Sequence, residues 1–258
     1  MSVLLYEKKG KIVYLTLNRP DKMNAFDQET IEELGKAWVR FRDDPESLVA
    51  IITGAGEKAF CTGFDLGGGG GDIRATLKNA ANPKNTAHIA PTTFQVWKPV
   101  IAAINGFCIG GGWWIAQDCD LRIAADHAQF SIATARWNLA EPNTGDMWRY
   151  LAPGHALELM LVGDRINAQR AYEMGFVNKV VPKADLMSAA TAMANKILEN
   201  GPVAATRIKE LFYKSREMNS KQTWELMEKL FIPLYGMDDS VEGVKAFGEK
   251  RKPVYQGK

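Results

Sequence analysis

At 258 residues, with 46% apolar and 24% charged side chains, the chain can bury a sizeable core and lacks the composition of a disordered segment. Its 32 basic and 30 acidic residues leave a formal net charge of +2, which excludes a broad cationic face for nucleic acid or for an anionic membrane surface. Three cysteines (Cys61, Cys108 and Cys119) make neither a disulfide framework nor a zinc-binding pair, and His88, His127 and His155 are scattered, so no metal site and a reducing, cytoplasmic setting are expected.

The first ten residues meet acidic and basic side chains by position 7 and hold no apolar run, unlike a secretory leader. Alternation predicts strands over residues 3–7 and 12–17 around a turn at Lys9-Gly10. A polar loop, 18–25, follows with a proline at its start. Ile31, Leu34, Trp38 and Phe41 then recur at helical spacing and predict a helix over 27–42, stopped by Asp44-Pro45. Residues 48–53 read as a buried strand leading into Gly54-Ala-Gly56. Residues 100–117 carry no charge and have the length of a membrane span, but Asn105 and four glycines interrupt them. They are read as a buried strand over 100–104, a tight loop and the start of a buried helix. Further strands are predicted at 121–124 and 176–181, and helices at 154–162, 168–174, 186–198, 203–216 and 223–234. Strands alternating with helices, followed by helices alone, predict an α/β core over 1–195 and a helical region over 196–258. Amphipathic helices in such a tail suit packing on a partner subunit.

Eight of the 23 glycines fall in two clusters, 67–71 and 110–112. The first reads as a loop tip. The second stands between apolar segments, and two accounts of it stay open: close packing of helix on strand, or free backbone N–H groups at a helix N-terminus, where negative charge is stabilised. Neither dinucleotide nor P-loop fingerprint is present.

Longer motifs settle the comparison. Asn18-Arg-Pro with Asn24-Ala, Ala59-Phe-Cys-Thr-Gly-Phe-Asp-Leu66, Lys98-Pro-Val-Ile-Ala-Ala-Ile-Asn-Gly106, the glycine triplet, Cys119-Asp-Leu-Arg-Ile-Ala-Ala125 and Ala128-Gln-Phe130 occur in order. Leu161-Val-Gly163, Gly175-Phe-Val-Asn-Lys-Val-Val181 and Ala246-Phe-Gly-Glu-Lys-Arg-Lys-Pro253 continue them. With these motifs the chain resembles the crotonase (enoyl-CoA hydratase/isomerase) superfamily over nearly its whole length. The resemblance implies a spiral of ββα units with a helical C-terminal trimerisation region, assembled as a trimer or a dimer of trimers. It implies an acyl-CoA thioester as substrate, with coenzyme A entering as part of that substrate and no permanently bound cofactor. It implies an oxyanion hole made by the backbone N–H groups of Thr62 and Gly111, and coenzyme contacts from Lys22, Met23, Ala25, Asp65 and Leu66, with Phe247 and Lys250 reaching a neighbouring subunit's coenzyme. Lys250 also reads as part of a solvated charge run.

The chain departs from that family at two places. A hydratase of the family splits water with two glutamates; Trp114 and Thr134 occupy those positions here, and neither side chain titrates near neutrality. The loop 136–149 is rich in tryptophan and acid instead of glycine. Glu141, and after it Asp146, are the candidates for a relocated acid or base, with a capping or surface role as the alternative for each. Trp113, Trp114, Trp137 and Trp148 are expected either as core or as an aromatic wall for a bulky acyl group. Thr134 and Trp137 are expected to line that group too. His155 is read as structural and His88 as bordering the pocket. The expected activity is therefore processing of an acyl-CoA by enolate or related oxyanion chemistry, with thioester hydrolysis or non-catalytic acyl-CoA binding as alternatives.

Overall fold

The computed structural model describes residues 2–65, 89–140 and 142–258. Leu66, the glycine run 67–71, His88 and Glu141 lie outside the described residues.

The chain opens with an antiparallel pair, β1 (Leu4–Lys9) and β2 (Ile12–Leu17), then α1 (Gln28–Asp43), whose first turn is capped by the Asp27 carboxylate accepting from Thr30 N–H at 2.9 Å. From there the path is a spiral. Three successive passes each place one strand in a large sheet and the next in a small one: β3 (Val49–Gly54) then β4 (Ala59–Cys61), β5 (Val100–Ile104) then β6 (Phe107–Ile109), β7 (Leu121–Ala125) then β8 (Gln129–Ser131). Helix α2 (Gly111–Asp118) closes the second pass. A short helix α3 (Pro153–Leu157), strand β9 (Ile166–Asn167), helix α4 (Ala168–Glu173) and strand β10 (Lys179–Val181) complete it. The result is a six-stranded sheet ordered β1-β2-β3-β5-β7-β10, parallel from β2 onward, and a four-stranded sheet ordered β4-β6-β8-β9. Helices α5 (Leu186–Leu198), α6 (Pro202–Lys214), α7 (Ser220–Phe231) and α8 (Asp238–Gly248) follow.

The continuous apolar runs of β3 and β5 are explained by burial on both faces of a parallel sheet. Ala50 and Ile52 join Val100, Ala102 and Ile104 in the core between the two sheets, whereas Val49, Ile51, Ile101 and Ala103 point the other way, onto Leu186, Ala190 and Ala194 of α5. The uncharged segment 100–117 is two strands and a helix start, and no helix among the described residues is long and apolar enough to cross a membrane. The strand expected over 176–181 begins only at Lys179, because Phe176 and Val177 turn back to donate their N–H groups to Ala171 O. The short strands β4, β6, β8 and β9 have no period-2 signature of their own, being only two or three residues long.

Trp113 belongs to this core. Its indole is fully buried, stacks on Phe176 with centroids 3.7 Å apart and donates to the Gln117 side chain at 3.0 Å. Directly beneath, the buried Arg122 guanidinium donates to Ala116 O and Cys119 O at the C-terminal end of α2 and to Phe176 O, a cation placed where the helix dipole is negative.

Candidate active site

Parallel pairing of β4 with β6 sets Cys61 opposite Cys108, so the chain leaves both strands at the same edge of the small sheet. Each exit is a glycine turn. Gly63 has φ +91° and Gly110 has φ +56°, values an L side chain rarely adopts. The turns touch: a Cβ on Gly63 would stand 2.8 Å from Gly111 N, one on Gly111 would stand 3.1 Å from the Phe64 ring, and one on Gly112 would collide with the Cys61 carbonyl. Gly111 is also the first residue of α2, whose opening N–H groups have no partner within the helix. Close packing of helix on strand therefore holds for the triplet, and it brings the N-terminus of α2 against the Thr62-Gly63 turn.

The loop at 19–26 is laced onto the same turn. Phe26 N–H donates to Gly63 O and Asp65 N–H to Phe26 O, both at 2.8 Å, and the Thr62 hydroxyl lies 3.4 Å from Met23 O. Met23 and Asn24 adopt left-handed φ of 52° and 57°, and the Asn24 amide fixes that turn by donating to Ala55 O and Ala59 O. Arg19 is the organiser that motif reading names only as part of a motif: its guanidinium donates to Ala25 O at 2.5 Å and pairs with Asp27 at 3.0 Å and Asp65 at 3.3 Å. Burial alone would raise the Asp27 carboxyl, but the hydrogen bonds from Thr30 and the Arg19 charge hold it below the ordinary carboxylate range. The structure thus gathers Met23, Ala25, Thr62, Asp65 and Gly111 at one place, with Lys22 exposed at its rim.

Trp114 lies one residue row further along α2, nearly buried, with its ring 6.4 Å from Phe64. It forms one end of a cavity of about 970 Å³ between α2, the helical turn Pro142–Arg149 and the helices α6 and α7. Gln117 and Asp118 continue the wall, joined by Trp97, Arg149, Tyr150 and Tyr213. Asp146 lines it too, pairing with Arg149 at 2.9 Å from inside its helical turn and not from a cap position. Burial pushes the Asp118 carboxyl up, against the opposing pull of hydrogen bonds from the Thr92 N–H and hydroxyl. Burial likewise pushes the Tyr150 and Tyr213 hydroxyls up. Of the four tryptophans expected as core or as wall, Trp113 is core, Trp114 lines the cavity, and Trp137 (71% exposed) and Trp148 (62%) are exposed in this chain. The aromatic lining of the cavity comes from Trp97, Trp114, Tyr150 and Tyr213, of which sequence patterns single out only Trp114. Thr134 is half-buried at the start of the turn Thr134–Trp137. His155 sits in α3 beside Glu158 and Arg170, a structural neighbourhood. Phe247 (87% exposed) and Lys250 stand at the end of α8.

Residues 7–258 match the model of the enoyl-CoA hydratase/isomerase family. The chain is 36% identical over 261 residues to a carnitinyl-CoA dehydratase of Proteus mirabilis and 35% identical over 263 residues to that of Escherichia coli K12, in each case covering 97% of both chains. Among solved structures it is similar to an enoyl-CoA hydratase of Bacillus anthracis (TM-score 0.91, 32% identity, 99% of this chain and 100% of that one). An enoyl-CoA hydratase of Mycobacterium tuberculosis gives a TM-score of 0.89 at 30% identity, with both chains fully covered.

Proposed function

The chain belongs to the enoyl-CoA hydratase/isomerase family and is an acyl-CoA-processing enzyme of the lyase and isomerase type, and from that premise we propose that its backbone N–H groups at Thr62 and Gly111 bind the thioester carbonyl oxygen. The observation that supports this most is the contact between the two glycine turns, which sets Gly111 N against Gly63. When a proton leaves C2 of a thioester, charge gathers on the carbonyl oxygen, and fixed donors stabilise it as it develops; one such donor contributes about 10²–10³ in rate. Backbone donors make no demand on the rest of the acyl group, so specificity and proton transfer fall to side chains around it.

Those side chains are not the twin glutamates. Trp114 only donates and Thr134 does not titrate, so the base that takes the C2 proton comes from the 141–146 segment: Glu141 or Asp146. In an isomerisation that group returns the proton further along the chain. In a dehydration, the reaction for which the carnitinyl-CoA dehydratases are named, the C3–O bond breaks and the departing hydroxyl takes a proton to leave as water. Replacing Asp146 by Asn and Glu141 by Gln tests the assignment: one of the two is expected to lose about 10²-fold or more in turnover. Full activity in both would overturn the relocated base, and coenzyme A binding without turnover by the unaltered protein would favour a non-catalytic binder, the reading that Trp114 and Thr134 support. For assembly the proposal is a trimer or a dimer of trimers, in which exposed Phe247 and Lys250 reach a neighbour's coenzyme. Residues 1–195 then carry the thioester site, and 196–258 the assembly together with part of the cavity wall, Tyr213 and Arg216.

A further inference from the structure

The cavity beside Trp114 has a chemical bias that its aromatic lining hides. Asp146, Glu217, Glu225, Lys214, Arg216 and Lys229 line it besides Asp118 and Arg149, and the Asp118 carboxylate is already satisfied: its oxygens accept from Thr92, through the hydroxyl at 2.7 and 2.8 Å and the N–H at 2.8 Å. The Arg149 guanidinium is not. Arg149 is 18% exposed, its Nη1 donates to Arg216 O at 3.2 Å, and its buried Nε makes no hydrogen bond to any described residue. Asp146 Oδ1 comes within 2.9 Å of that Nε, but off the N–H axis, and Asp146 itself is 59% exposed. Arg216 stands behind, donating to the Tyr150 hydroxyl at 2.9 Å and lying over the Tyr213 ring at 4.3 Å. A buried guanidinium N–H with no aligned acceptor is a binding site for one, and a carboxylate is the acceptor whose geometry matches the guanidinium fork.

We propose that this cavity selects acyl-CoA substrates whose acyl group ends in a carboxylate, with Arg149, supported by Arg216, as the residue that receives it. The inference rests on the placing of the thioester at Thr62 and Gly111. Gly111 opens the helix α2, and further along it Trp114, Gln117 and Asp118, spaced at three and four residues and so on one side of the helix, line the cavity that also holds Arg149. A short dicarboxylic acyl chain places its methylenes on Trp114 and its far carboxylate at the arginine. Arg149 is a specificity residue in this account and takes no part in bond making.

The test compares binding of two thioesters of equal chain length, glutaryl-CoA and valeryl-CoA, by titration calorimetry on the full chain. The prediction is that glutaryl-CoA binds at least about tenfold more tightly, that Arg149→Gln brings the ratio to within about threefold, and that Arg149→Lys, which keeps the charge but loses the fork, restores part of it. Valeryl-CoA binding as tightly as glutaryl-CoA to the unaltered protein overturns the inference and leaves the thioester site standing, whatever becomes of the variants. Binding of neither thioester overturns the thioester reading and this inference with it. A third ligand, 4-trimethylammoniobutyryl-CoA, binding better than glutaryl-CoA would also overturn it, since that result requires the cavity to favour a cation through its aromatic rings and Asp118.

Discussion

Single residues here carry constraints that can be ranked by what an added atom meets. A methyl group at Gly112 collides with the Cys61 carbonyl, a backbone atom held in place by the strand β4, so neither side can yield cheaply. Gly145, in the exposed turn beside the cavity, meets nothing within 4 Å and has an ordinary φ. Gly112→Ala is therefore expected to lower the melting temperature sharply or prevent soluble folding, while Gly145→Ala stays within about 1 kcal/mol of the unaltered protein, on the stabilising side. Equal melting curves for the two would contradict the packing described for the glycine triplet. Trp113 offers a second residue-level check. Buried on all sides and stacked on Phe176, its replacement by alanine is expected to cost about 3–5 kcal/mol in a denaturant titration. A cost near zero would mean that the indole is not core after all.

At the scale of elements, the C-terminal segment after α8 shows how a few carboxylates dock an extended chain. Glu242 accepts from the Arg251 guanidinium at 2.6 and 2.8 Å and from Val254 N–H at 2.8 Å; Asp239 accepts from Gln256 N–H and Gly257 N–H, each at 2.7 Å. The Arg251 hydrogen bonds, then that from Val254, pull the Glu242 carboxyl down to about 2 from an ordinary 4.5. Because the folded value lies below the unfolded one, this docking is fully present above pH 4.5 and is lost as pH falls towards 2. Amide exchange at Val254 is expected to accelerate across that window, and Glu242→Gln to speed it at neutral pH as well. Exchange independent of pH after correction for the intrinsic rate would contradict the assignment. The N-cap of α1 is an analogous case: Asp27→Ala is expected to cost about 1 kcal/mol, with additional loosening of Arg19 in the loop below.

The same scale explains what could be read in advance. Strands β2 and β5 and helix α5 stand where periodicity puts them, because each is long enough for its pattern to register against a buried surface. The second sheet was not readable, since two- and three-residue strands have no pattern to register and are held by neighbours distant in sequence. Thr62, Gly111, Met23, Ala25 and Asp65 were legible as neighbours, because they lie on motifs that the backbone path requires. Arg149, Tyr150, Tyr213 and Arg216 were not. They come from two regions far apart in the chain and meet only when the C-terminal helices fold back over α2. Trp137 and Trp148 are near the cavity in sequence but are exposed in the single chain and do not line it.

For the whole molecule, the helical region leaves Ile208, Phe212, Trp224, Ile232, Tyr235, Val241, Val244 and Phe247 exposed in the single chain, large apolar side chains that suit packing on a partner. Sedimentation velocity is expected to give three or six times the chain mass, and a monomer at micromolar concentration would contradict the proposed assembly. The central claim, however, concerns chemistry: two backbone donors at the meeting of the glycine turns stabilise a thioester enolate even though the usual glutamates are absent. It is tested most directly by incubating the protein in heavy water with acyl-CoAs shown by calorimetry to bind, and following deuterium at C2 by mass spectrometry. Protein-dependent incorporation of deuterium at C2, lost in the variant of Asp146 or Glu141 that removes the base, is the predicted result; bound thioesters that emerge with C2 still fully protonated and otherwise unchanged would contradict it.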